Sequence, residues 1–193
     1  MKVIMRWKRR MLGFAMVAMA TAMAAGPAGA AAPDGKAPSK ASPEARIKEL
    51  GITLPPAPKP MASYVPVVRT GNLLFLAGQG PTAEGKVLVA GKVGSDLTEE
   101  EGNKAARASI LNSLAILKSE LGSLDRVRRI VKMTGWVNSA PGFNRQPWVI
   151  NGASDLLIEI FGEAGKHARS AVGTNELPLN IPVEIEIVVE AAP

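Results

Sequence analysis

The chain has 193 residues, no cysteine and a single histidine, His167, which excludes disulfides, thiolate nucleophiles, cysteine-ligated metals and histidine zinc clusters. Lys2, Arg6, Lys8, Arg9 and Arg10 supply five of the 23 Lys and Arg, and no acidic residue precedes Asp34. The formal charge of +6 therefore belongs to the N-terminus, and the remaining cations nearly balance the 17 Asp and Glu, which argues against a nucleic-acid partner.

Residues 1–30 have the three parts of a cleavable export signal: the basic start, an apolar stretch from Met11 to Ala25, and small residues ending in Ala28-Gly29-Ala30. The apolar stretch is short of the roughly 20 residues needed to cross a bilayer as a helix, so no membrane attachment is expected after cleavage. Cleavage after Ala30 fits the A-x-A pattern, and Ala22-Met23-Ala24 offers an earlier site. Arg9-Arg10 also loosely matches a twin-arginine signal, although paired basic residues are common in general secretion signals. The protein is expected in the periplasm or outside the cell. Residues 31–60 read as a linker and extended entry segment. Pro33, Pro38 and Pro43 lie among Ala, Ser, Lys and Gly, a short helix is possible over Ala45–Leu50, and the run Pro55-Pro56-Ala57-Pro58-Lys59-Pro60 forces extended backbone. The compact domain is expected over residues 61–193.

Within it, Tyr64–Val68 and Leu73–Ala77 are β-prone runs around the turn Thr70-Gly71-Asn72. Gly78-Gln79-Gly80-Pro81 follows, either a plain strand-ending turn or a place where backbone approaches a ligand closely. Thr98-Glu99-Glu100-Glu101 is a capping-box pattern, and Ala106, Ile110, Leu114, Leu117 and Leu121 continue at helical spacing to Gly122. Val127–Val137 reads as a strand whose Arg126, Arg128, Arg129 and Lys132 fit a solvated corner. Pro147 opens a second helix with Val149, Ala153, Leu156, Leu157 and Ile160 on one face and Gly162 as its stop. Ala168–Thr174 is a further strand. In Val183–Val189 strict alternation puts Val183, Ile185, Ile187 and Val189 on one face and Glu184 and Glu186 on the other. The order ββαβαββ implies an α+β two-layer sandwich, with both helices on one face of a mixed sheet. The other face needs cover, which points to association of several sheets into a closed oligomer.

Laid out in this way, the chain from Tyr64 to Glu190 resembles the RidA (YjgF-like) family. Tyr64, Gly71-Asn72 and Ala77-Gly78-Gln79-Gly80-Pro81 are similar to the family's tyrosine, strand and (S/A)GQ-x-P turn. Phe143–Phe161, with Asn151, resembles its second helix. Ala168-Arg169-Ser170-Ala171-Val172, Leu177-Pro178 and Val183-Glu184-Ile185-Glu186 match its ARS-x-V, LP and VEIE elements at family spacing. Leu50-Gly51-Ile52-Thr53-Leu54-Pro55 resembles a branch with a longer N-terminus.

The resemblance implies a chorismate-mutase-like fold, a homotrimer, and clefts between subunits that hold a small carboxylate or imine ligand without metal or organic cofactor. Active members hydrolyse enamines and imines to 2-keto acids and ammonia. Arg169 and Glu184 take the catalytic positions: Arg169 as a bidentate carboxylate clamp, Glu184 as the group that positions or activates water. Tyr64, Ala77, Gly78, Asn151 and Ala171 take the substrate-binding positions. On residue type alone, Arg169 pairs with an acidic neighbour, Glu184 is an outward strand glutamate, Tyr64 is a strand aromatic with a wet tip, and Asn151 packs a helix start. Ala77 stands where better-known deaminases carry serine, Ala171 where they carry cysteine, and His167 where many relatives carry proline. The two alanines make the cleft drier and roomier; His167 reads as a solvated turn histidine or a proton donor near the cleft. These departures favour a noncatalytic ligand-binding protein as the second function. A ribonuclease or translation inhibitor comes last, for the neutral domain has few aromatics to stack bases.

Overall fold

A computed structural model describes residues 41–60 and 62–193. The expected export signal, the first part of the expected linker and Met61 lie outside the described residues. The packed chain starts earlier than Met61, at α1 (Pro43–Glu49). Ser42 caps α1 by accepting the Ala45 N–H, and Pro43 occupies its first turn, where a missing N–H costs nothing. Ile47 is buried in the main core, and Leu50, Ile52 and Leu54 pack against it. Glu44 accepts the Leu124 N–H at 3.0 Å and meets Lys118 Nζ at 2.7 Å. The second half of the expected linker is thus a structural part of the domain, because its apolar residues find a surface to cover.

The strands β1 (Val67–Thr70) and β2 (Leu73–Leu76) form the expected hairpin. Its first strand is shorter than the sequence implies. Pro66 has no N–H to give a ladder, and Tyr64 lies before the strand in a bend. A two-residue ribbon, β3 (Thr82–Ala83) with β4 (Lys86–Val87), follows the glycine turn. Helix α2 (Glu99–Leu121) begins with the full capping box. Thr98 Oγ1 accepts the Glu101 N–H at 3.2 Å and Glu101 Oε2 accepts the Thr98 N–H at 2.8 Å. Its predicted stripe is buried. Then come β5 (Val127–Asn138), α3 (Gln146–Phe161), β6 (Ala168–Thr174) and β7 (Val183–Ala191). Gly152 lets α3 lie directly on α2, since a Cβ there would overlap the Asn103 carbonyl.

The sheet order is β1-β2-β7-β5-β6, antiparallel throughout except for the parallel pair β5 and β6. Both long helices cover the face carrying Leu74, Met133, Ile185, Ile187 and Val189, all essentially solvent-free. By register the opposite face carries Val68, Phe75, Trp136, Val172, Val188, Glu184 and Glu186. Val68, Phe75 and Val172 remain 54%, 44% and 44% exposed, so the uncovered face is substantially apolar, as the sequence implies.

Candidate functional site

The expected site residues fall into two groups on different faces of the sheet. Register decides this. On β5, Trp136 pairs with Glu184 and Met133 with Arg169. Positions three apart on a strand point to opposite faces, so Glu184 faces the open side and Arg169 the helix side. One chain does not bring them together.

The first group surrounds a cavity of about 920 Å³. Tyr64, Ala77, Gly78 and Glu184 all line it, opposite the extended segment Pro55–Pro60. The glycine turn is fixed by sheet bonding: Gln79 and Ile185 exchange both backbone hydrogen bonds at 2.9 Å. Asn112, a buried α2 side chain, donates to the carbonyls of Gly80 and Thr82 at 3.0 Å each. Gly78 then lies against the Glu184 carboxyl so closely that a Cβ would overlap Oε1. This gives the first glycine of the turn its reason: the backbone there closes on the Glu184 carboxyl. Glu184 is half-buried, and among the described residues no hydrogen bond or ion pair reaches its carboxylate. Burial first, and the Glu186 charge second, push its pKa up from the usual 4.5. A carboxylate so placed is a better base than an exposed one, and an unpaired one is available to a ligand.

In the second group Arg169 has no acidic partner within ion-pair range among the described residues, contrary to the pairing that residue type alone suggests. Instead Nη1 donates to Asn151 Oδ1 at 2.8 Å and to Ser154 Oγ at 2.9 Å. Both acceptors are neutral, so the guanidinium is oriented while its charge is left uncompensated. Asn151 thus touches Arg169 rather than only packing a helix start. Ala171, two residues along the same face, packs at the edge of the core.

His167 is not a solvated turn residue. It is half-buried, with Nδ1 2.7 Å from the Gly165 carbonyl and Nε2 3.2 Å from Ser154 Oγ. Burial, with a smaller contribution from Arg169, lowers its pKa from 6.5. Sequence reasoning did not single out Ser154 or Asn112. The signal for Ser154 was present: it lies three residues after Asn151, hence on the same helix face.

Residues 44–190 match the family model described as "YjgF/chorismate_mutase-like, putative endoribonuclease". The chain belongs to this family. Protein TCP17 of Trypanosoma cruzi is 44% identical over 76% of this chain and 92% of its own length. The crystal structure of Atu1372 from Agrobacterium tumefaciens, a protein of unknown function, is 47% identical, covers 77% of this chain and 92% of its own, and superposes with a TM-score of 0.72. A more distant YjgF-like relative, 28% identical over 72% of this chain and 93% of its own, is a 2-iminobutanoate/2-iminopropanoate deaminase of Dermatophagoides farinae.

Proposed function

We propose that the protein binds small 2-imino and 2-keto carboxylates in clefts between subunits of a homotrimer and hydrolyses the imines to 2-keto acids and ammonia. The observation that carries this reading is the unpaired, half-buried Glu184 carboxylate held against Gly78 in a largely apolar cavity. The deaminase relative supplies the reaction class. Arg169, oriented but not neutralised, supplies a carboxylate clamp. The two groups face different sides of one sheet, and the exposed apolar face offers a surface for association. A cleft completed by a second copy would unite one subunit's clamp with its neighbour's base.

In the reaction, Glu184 takes a proton from water as the water oxygen bonds to the imine carbon, giving a carbinolamine. That proton is passed to the imine nitrogen, the hydroxyl proton follows it by way of Glu184, the C–N bond breaks, and ammonia leaves as the carbonyl forms. Water and imine become ketone and ammonia with no redox change. Arg169 contributes roughly 1.5 to 3 kcal/mol of carboxylate binding through charge-assisted hydrogen bonds.

The test combines calorimetric titration with 2-oxobutanoate and ammonia release from enzymatically generated imines. Arg169→Ala should lose binding. Glu184→Gln should keep it but lose about 100-fold or more in turnover, because glutamine cannot accept the proton. Ala77 and Ala171, which remove polar atoms from the family's positions, favour a second reading as a noncatalytic binding protein. A parent that binds the keto acid and never releases ammonia above background establishes that reading instead.

A further inference from the structure

The polar chain behind Arg169 runs through two residues that the proposed chemistry does not use. A carbonyl oxygen can only accept, so the 2.7 Å contact of His167 Nδ1 with the Gly165 carbonyl puts the imidazole proton on Nδ1. Nε2 is then a lone-pair acceptor. Ser154 Oγ, 3.2 Å away, gives its hydrogen to Nε2. With the hydrogen so directed, a serine lone pair points to Arg169 Nη1 at 2.9 Å. Ser154 is buried at 7% exposure. Its other polar-range neighbour is the Met133 sulfur at 3.7 Å, a weak acceptor that cannot replace the imidazole.

We propose that Ser154 and His167 are positioning residues: the Nδ1–H imidazole orders the Ser154 hydroxyl, which with Asn151 fixes the Arg169 guanidinium for a carboxylate. The inference rests on the reading of Arg169 as the carboxylate clamp. A guanidinium on a flexible stem loses rotamer freedom when it binds, and side-chain acceptors that hold it beforehand remove part of that cost. Two neutral acceptors do this without consuming the charge, which a carboxylate partner would. Arg169 is the charged group acting on His167; α3 presents Ser154 and β5 presents Met133 to this network. A bound carboxylate offsets the Arg169 charge, so ligand and His167 protonation are linked: saturating ligand should raise the His167 pKa.

The experiment uses the purified protein and 2-oxobutanoate as the probe. His167 is the one histidine in the sequence, so its ring nitrogens are assigned without ambiguity by 15N NMR. The expected spectrum is the Nδ1–H tautomer, with a pKa that rises on ligand saturation. By calorimetry, Ser154→Ala and His167→Phe should each weaken binding about fivefold to tenfold, the loss of one ordered hydrogen bond. His167→Gln, which retains an acceptor for the serine hydroxyl, should stay within about twofold of the parent. An Nε2–H tautomer overturns the proposal. So do Ser154→Ala and His167→Phe variants that bind like the parent while Arg169→Ala does not; in that case only the positioning role falls. A parent that does not bind, or an Arg169→Ala variant that binds as well as the parent, overturns the clamp reading and this proposal with it.

Discussion

The Glu184 side chain stands in conflict with its own surroundings, and the conflict can be measured as stability. Its folded-state pKa is raised by burial and by Glu186. The fold therefore favours the protonated form relative to the unfolded chain. The contribution is fully present below about pH 4.5 and is lost as pH rises through the folded value. Glu184→Gln, which cannot ionise, should melt about 1 to 3 °C above the parent at pH 7. That difference should vanish near pH 4 in thermal scans of both proteins. A rise in stability with loss of turnover is the signature of a group kept for chemistry rather than for packing. His167 runs the opposite way in sign of charge. Its lowered pKa means that stability is present above about 6.5 and lost as pH falls through the folded value. Acid destabilisation in that window should be reduced in His167→Gln, read by the same scans.

At the scale of elements, periodicity was a sufficient guide wherever one face of a segment is buried. Thr98 and Gly122 bound α2 as their capping chemistry requires, and the alternation in Val183–Val189 is the observed burial pattern of β7. The short N-terminal elements were less legible. Helix α1 has seven residues and too few apolar positions to announce a core face. Its Ile47 matters only because α3 and the turn at Leu124–Arg126 leave a place for it, a tertiary fact with no local signature. The site was legible in part. Motif spacing singled out Arg169, Glu184 and Gly78, but the two-sided arrangement follows from the register of β6 and β7 on β5, which no local pattern encodes. If α1 belongs to the folded unit, Ile47→Ala should cost about 2 kcal/mol and lower the melting temperature by several degrees. A solvated linker residue would leave it unchanged.

For the whole molecule, the sheet has one face closed by helices and one that exposes Val68, Phe75 and Val172. Such a face covers itself most simply by closed association of identical chains. The proposed trimer and proposed export are independent of one another. Mass spectrometry of the protein recovered from the periplasm or medium should show loss of residues 1 to about 30, and an intact Met1 in a cytosolic fraction contradicts it. The proposed sharing of one site between two chains has a stricter consequence, because two differently disabled subunits would complement each other. Arg169→Ala and Glu184→Gln subunits should each be inactive alone. In a randomly mixed equimolar assembly, about a quarter of the clefts combine the intact Arg169 of one chain with the intact Glu184 of its neighbour. The decisive measurement is ammonia release by trimers co-refolded from the two variants. Recovery of about a quarter of the parental activity is expected; mixed assemblies no more active than either variant alone would contradict a site shared between subunits.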